Sequence, residues 1–234
     1  MFNGKFALEA MGTIITKGVP VSLLIVFLTV VISMPLAFLV GLMRYKRVKV
    51  ITPVFTVLIS FFRGVPLMVL IFLFYNALPN TLTVLGKRYG WGIDFYNINQ
   101  IWFATFICCT FTIAIMSEIF RSALAAVNSN QLEAAHSVGL STFQAYAHII
   151  IPQALVSAIP NLGNNIINLF KGTALVFYMG VLDIMGTAKT LAGLNYNYLE
   201  AYVDVFVIYV VICFIMQKIF EYLEKRLNVY NAAH

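Results

Sequence analysis

Long apolar runs alternate with short polar stretches along this chain. About 20 consecutive apolar residues are needed to cross a hydrocarbon core about 30 Å thick. Five segments reach that length, near residues 20–43, 53–79, 99–121, 154–182 and 200–220. Each run is continuous and lacks the two-residue alternation of a membrane barrel, which predicts helices. The first two runs open at Pro20 and Pro53, where a missing N–H is not needed. Pro35 and Pro66 fall inside runs and predict kinks, since neighbouring helices can satisfy the freed carbonyls. Ahead of the first run, Phe2, Phe6, Met11, Ile14 and Ile15 alternate with Lys5, Glu9 and Lys17. Residues 1–18 therefore read either as an interfacial helix on the outer face or as a frayed terminus. The expected architecture is an all-α integral membrane protein of about five spans, with one domain over residues 1–234.

Composition agrees. The chain is 61% hydrophobic and 10% charged, whereas soluble domains carry about 25% charged residues. So little polar surface cannot cover a water-soluble particle. The first run exceeds the roughly 7–15 residue core of a cleaved signal and reads as a retained span. The net charge of +6 is a topology signal here. No basic stripe with interleaved aromatics lies outside the runs, so lipid is an expected partner and nucleic acid is not.

Arg44, Lys46, Arg47 and Lys49 follow the first span, which makes that loop cytoplasmic. Alternation then puts the N-terminus and residues 80–98 and 183–199 outside. Residues 122–153 and the C-terminus lie inside. Lys218, Lys225 and Arg226 near the C-terminus agree, while Lys87 and Arg88 are a mild exception. Asn80, Gly86, Gly90, Gly92 and Asn97 make 80–98 read as an irregular connector. Cys108, Cys109 and Cys213 all fall in spans. They form no disulfide framework and no metal spacing. His136 and His148 are isolated, and no metal is expected.

The 122–153 loop contains a polar, helix-competent island, Asn130-Gln131-Leu132-Glu133-Ala134-Ala135, closed by Gly139. Asn130 with Glu133 fits a capping box, and Gly139 fits the left-handed residue that ends a helix. Ser141 with Gln144 predicts a second helix, bounded by Pro152. Ala134 and Ala135 form a small-residue face that another protein can approach closely. The alternative is that Glu133 only caps and the alanines only favour helix.

Five motifs in order resemble those of amino-acid-type permease subunits of ATP-binding cassette importers. Phe62-Arg63-Gly64-Val65-Pro66-Leu67 resembles F-R-G-T-P-L, and Ser117-Glu118-Ile119-Phe120-Arg121-Ser122 resembles A-E-x-x-R-G. Asn130 to Ala135 resembles G-Q-x-E-A-A, Ile151-Pro152-Gln153-Ala154 resembles L-P-Q-A, and Lys171-Gly172-Thr173-Ala174-Leu175 resembles K-D-T-S-L. Asn130, Ser122 and Gly172 depart from the pattern. The last leaves no carboxylate beside Lys171. The resemblance implies a type I importer permease with a cytoplasmic coupling helix at Gln131, Glu133, Ala134, Ala135 and Gly139. It implies a second permease subunit, identical or paralogous, a cytoplasmic ATPase dimer and an extracytoplasmic solute-binding protein. It also implies polar amino acids as cargo, with cystine among them, in a bacterial cytoplasmic membrane. ATP and Mg would sit on the partner ATPase: this chain has no G-x-x-x-x-G-K-[ST] loop and no expected cofactor or catalytic residue.

Ionisable and amide side chains inside a membrane are functional candidates. Arg63 lies ten residues beyond Pro53, about 15 Å along a continuous helix. Asn161, Asn164, Asn165, Asn168 and Lys171 recur at helical spacing in the fourth span. Unpaired amides in hydrocarbon cost several kcal/mol each, on the order of 2–7, so that stripe faces protein or water. It either lines a translocation path or bonds helices together. Glu118 and Arg121 read most simply as an i,i+3 ion pair. Asp183, Lys189 and Glu200 flank the outer loop, where they meet the binding protein or are merely solvated. An autonomous secondary carrier is the competing function. It would show inverted repeats and broken helices at matched positions, and the sequence displays neither. A membrane enzyme would need paired carboxylates or a His/Asp cluster at one depth.

Overall fold

The structure, a computed structural model, describes residues 2–91 and 97–232, with the side chains of 195 and 228–232 excepted. Gly92 of the expected connector lies outside the described residues. Eight helical elements follow in order: α1 Gly4–Tyr45, α2 Ile51–Gly64, α3 Leu67–Tyr89, α4 Gln100–Ala126, α5 Asn130–Ser137, α6 Thr142–Met179, α7 Ile184–Asn195 and α8 Tyr198–Ala232. No strand occurs among the described residues. Among the described residues four helices are long and apolar enough to span a membrane, and α6 with α7, bent by 47° at the break between them, makes a fifth if the pair is one span.

The first span starts earlier than its hydropathy shows. Residues 4–13 run into it through one π-helical turn at Ile14–Gly18. Ala7, Ala10 and Ile14 are buried on that extension, which packs on α7 and α8. The backbone N–H of Asn3 donates to Glu200 Oε1 at 2.7 Å. The amphipathic pattern of residues 1–18 thus buries its small-residue side against protein.

The expected second span is two helices. Val65 and Pro66 are extended (φ −101°, ψ 130° and φ −58°, ψ 138°). A proline ring clashes with helical geometry at the residue before it, and here the result is a break instead of a kink. At 14 residues, α2 reaches only about 21 Å. The connector 80–98 is also shorter than expected. Asn80 and Gly86 are inside α3, which ends at Gly90 with φ 68°.

Residues 183–199, expected as an outer loop, are largely helical. The Asp183 carboxylate caps α7, accepting from Gly186 N at 2.8 Å and Met185 N at 3.3 Å. Ile184, Ala188 and Ala192 are buried. Asp183 and Glu200 are buried too, and Lys189 Nζ stands 4.1 Å from the Phe177 ring centroid. Neither acid is presented to an outside partner.

Three apolar clusters of buried residues hold the bundle among the described residues. Ile14, Ile25, Leu70, Ile107, Phe170 and Met179 belong to the largest. Ala37, Met116, Phe120, Leu124, Ile150 and Ala158 belong to the second, at the end that holds the 122–153 loop, and Val40, Ile59 and Ala114 form the third. Helices α1 and α4 make the most extensive contact. A Cβ at Gly41 would lie 2.7 Å from the Ser117 carbonyl oxygen and 3.0 Å from Phe120 Cβ. Backbone cannot yield as a flexible side chain does. Gly41→Val is therefore expected to force the helices apart at a cost of about 1–3 kcal/mol, seen as a lower thermal midpoint of the purified protein. An unchanged midpoint would show that α1 and α4 separate freely there. Elsewhere the surface is apolar, with Phe206, Val210 and Phe214 of α8 exposed, as hydrocarbon solvent requires.

Candidate functional site

The polar residues of α6 divide by phase. Asn161, Asn164, Asn168 and Lys171 are exposed on one face, and Ser157 extends it by a turn toward the 122–153 loop. Asn165 turns inward, 9% exposed, and its Oδ1 has no partner. It leaves the expected stripe, and Ser157, one helical repeat before Asn161, joins it. Gly163 on the opposite side is pressed by Phe220 of α8, whose Cγ would lie 2.7 Å from an added Cβ. That contact fixes the rotation of α6 and turns the amides outward.

The break before α3 comes to the same level. Leu67 Cδ2 would lie 3.1 Å from a Cβ on Gly172, so the start of α3 abuts the residue beside Lys171. Gly172, where the resembled motif has aspartate, leaves room for that approach. Arg63 is exposed at the end of α2, four residues before Leu67. Its depth is set by this contact and not by counting along one continuous helix. The N-terminus of α3 adds unpaired N–H groups and the positive end of a helix dipole. The ion pairs among the described residues involve neither Arg63 nor Lys171. Lys171 and the N-terminus of α3 therefore lie together at the end of the amide row, with Arg63 four residues before Leu67 in the sequence.

Sequence reading missed the breaks at Val65–Pro66 and Gly180–Asp183. Discontinuous helices leave backbone polar groups free only where protein or a cavity receives them.

Glu118 is more than an i,i+3 partner. Its Oε1 accepts from Arg121 Nη2 at 2.5 Å and its Oε2 from Arg44 Nη1 at 2.7 Å. Arg44 Nε also donates to Thr56 Oγ1 at 3.4 Å. The Glu118 carboxylate thus joins α1 to α4, and Arg44 carries the link on to α2, beside the 122–153 loop.

In that loop, Asn130 does not cap α5. It is the first helical residue, its N–H donating to Asn128 Oδ1 at 3.0 Å, and Ser129 is the cap position without a side-chain bond. The turn comes one residue early because the Asn128 side chain captures that N–H. Gly139 takes φ 85°, as expected at such an end. Ser141 and Gln144 form the reciprocal capping box. Pro152 does not end the second helix. A π-helical turn at Tyr146–Ile150 precedes it, and the helix runs on as α6. Gln131 Oε1 accepts from Gln153 Nε2 at 2.7 Å, tying α5 to α6.

The two alanines part company. Ala134 and Glu133 are exposed, but Ala135 is 2% exposed. Ala135 is packed within the loop and is no open docking surface. A cleft of about 480 Å³ runs beside Gln131, Ala134, Ala135, Val138 and Ile149. Val138 and Phe143 stand out at 76% and 80% exposed. The signal for both was available: large apolar residues in an otherwise polar loop.

With this geometry the relatives can be read. The family of binding-protein-dependent transport system inner membrane components matches residues 33–229, and the chain belongs to that family. It is a membrane-embedded permease subunit of an ATP-binding cassette importer, with the type I importer permease fold. The L-cystine transport system permease protein TcyL of Bacillus subtilis is 33% identical over 214 residues, covering 92% of this chain and 87% of TcyL. The probable amino-acid permease protein YxeN of the same organism is 34% identical over 220 residues, 93% of each chain. Among solved structures, an amino acid ABC transporter with histidines superposes with a TM-score of 0.82 at 28% identity, covering 97% of this chain and 99% of that one.

Proposed function

We propose that this chain forms one half of a transmembrane path for a polar amino acid, with cystine as the first candidate cargo. The second half is another permease subunit, identical or paralogous. A dimer of separate ATPase subunits, which bind ATP and Mg, docks on Gln131, Glu133, Ala134 and the apolar pair Val138 and Phe143. Gly139 sets the corner, and Ala135 supports α5 from beneath. An extracytoplasmic binding protein delivers cargo. The N-terminus lies outside and the C-terminus inside a bacterial cytoplasmic membrane.

One observation carries the path reading. Asn161, Asn164, Asn168 and Lys171 form an exposed polar row in α6, half of the bent pair of apolar helices. Lipid cannot solvate that row, so a water-lined path or a second subunit must. The α-carboxylate of an amino acid pairs with Lys171 and Arg63, and amide carbonyls accept from its ammonium. The relatives' cargo, cystine for TcyL, carries both groups.

The test is uptake by proteoliposomes holding the whole transporter, with a panel of unlabelled amino acids as competitors. Competition by cystine and polar amino acids is expected, and competition by none of them would remove the cargo assignment. Orientation is tested separately. Cysteines placed at Lys46 and Ser129, both exposed, are expected to react only from the cytoplasm, and one at Lys87 only from outside. Reaction of the Ser129 position from outside would invert the topology.

A further inference from the structure

A second pocket lies where α1, α2 and α4 meet near the cytoplasmic loop. Its volume is about 440 Å³, and Arg44, Arg47, Lys49 and Arg121 line it with Thr52 and Thr56. Glu118 is the carboxylate that reaches this cluster. Residues 44–58 contain no acidic side chain. Four cations against one carboxylate leave the pocket strongly positive. Arg44 and Arg121 are held by Glu118, but Arg47 and Lys49 have no acidic partner among the described residues.

Arg47 carries a second signal. It sits at φ 53°, just past the end of α1, with its N–H bonded to Arg44 O at 3.2 Å. The left-handed region is disfavoured for a residue with a Cβ by about 1–2 kcal/mol, and glycine escapes that penalty. Gly90, Gly139 and Gly180 fill the equivalent need at three other positions, and Tyr196 (φ 56°) is the other non-glycine residue in this region among the described residues. At 47 the chain keeps a guanidinium where its backbone would prefer glycine. Retained strain of this kind accompanies function.

The setting defines the ligand. The pocket opens at the ends of two spans, the depth of lipid headgroups. From it α2 runs with Val54, Val57, Leu58 and Phe61 exposed, an apolar wall suited to an acyl chain. We propose that Arg44, Arg47, Lys49 and Arg121 seat the phosphate of an anionic phospholipid, with its acyl chains along α2. Thr52 and Thr56 supply hydroxyl donors to the same group. Assignment to the cytoplasmic leaflet rests on the orientation proposed above, but binding itself does not.

The test uses the full chain with its partner subunits in nanodiscs of phosphatidylcholine containing a minority of phosphatidylglycerol. Native mass spectrometry then reads the lipid retained. The wild type is expected to retain phosphatidylglycerol above its bulk fraction. Each basic residue at an anionic surface contributes about fivefold, so Arg47→Gly with Lys49→Ala is expected to lose about thirtyfold in apparent affinity. Glycine at 47 also relieves the backbone, so the Arg47→Gly chain should melt no lower in pure phosphatidylcholine. A fold defect therefore cannot mimic the lipid effect. Equal retention by the double variant would overturn the site. Displacement of phosphatidylglycerol by millimolar inorganic phosphate would make it a soluble-anion pocket and overturn the lipid assignment. Cysteine labelling reports leaflet independently of either result.

Discussion

Phe143→Asp is expected to abolish substrate-stimulated ATP hydrolysis by the assembled transporter while the chain still inserts and folds. Phe143 is 80% exposed, on the turn after the Ser141 cap. A phenyl ring held in water by a well-capped helix gains nothing until another surface covers it. Together with Val138 it supplies the aromatic and aliphatic anchors from which interface hot spots are built. Truncation at such anchors costs about 2 kcal/mol or more, roughly thirtyfold in affinity. Aspartate adds desolvation of a charge in the same contact. The comparison variant is Ala135→Asp. Because Ala135 is buried within the loop, that change is expected to lower stability and coupling together. Phe143→Asp should lower coupling alone, read as ATP turnover with and without cargo at an unchanged thermal midpoint. Normal stimulation in Phe143→Asp would move the ATPase contact elsewhere.

The parts of this molecule legible in its sequence are those governed by long averages. Five apolar stretches are visible because a span integrates about 20 side chains; the first, third and fifth lie in candidate spans, while the second divides at Val65–Pro66 and the fourth lies in the bent pair of α6 and α7. Features decided by one or two residues fared unevenly. Gly139 and the Ser141–Gln144 box announce themselves because each uses a side chain with a single local purpose. Asn130 misled because Asn128, two residues earlier, competes for the same N–H. Val65 and Pro66 hide within an apolar run, so hydropathy is blind to the break they make. α7 lies between the long apolar runs, so hydropathy does not announce it, although Asp183 before Ile184 is a legitimate cap signal. The inward turn of Asn165 and Ala135 was not readable at all. Helical spacing of polar residues gives a face about 100° wide, and which edge of it is buried depends on Phe220 and on the loop's own packing. The ion triad of Arg44, Glu118 and Arg121 needed Arg44, 74 positions from Glu118, a pairing that no local pattern contains.

Lys171→Met is expected to weaken uptake by about ten- to a hundredfold with assembly intact. The magnitude follows from removing a hydrogen bond to a charged group, worth roughly 1.5–3 kcal/mol. Methionine keeps length and flexibility, so packing beside Leu67 is little disturbed. Arg63→Met should act in the same direction and less strongly, because the N-terminus of α3 still presents positive charge next to Gly172. If both cations hold the same carboxylate, the double variant will lose less than the product of the single losses. If they act on separate groups, the losses will multiply. The competing account makes the amide row an adhesive between subunits. It predicts that Asn164→Leu or Asn168→Leu dissociates the permease pair while Lys171→Met leaves uptake near normal. Size-exclusion chromatography of the assembled transporter, run beside the uptake assay, separates the two. Near-normal uptake in Lys171→Met, with dissociation in either leucine variant, would remove the path and leave a helix-bonding role. Impaired uptake with an intact pair would locate cargo recognition on the face of α6 that runs from Ser157 to Lys171.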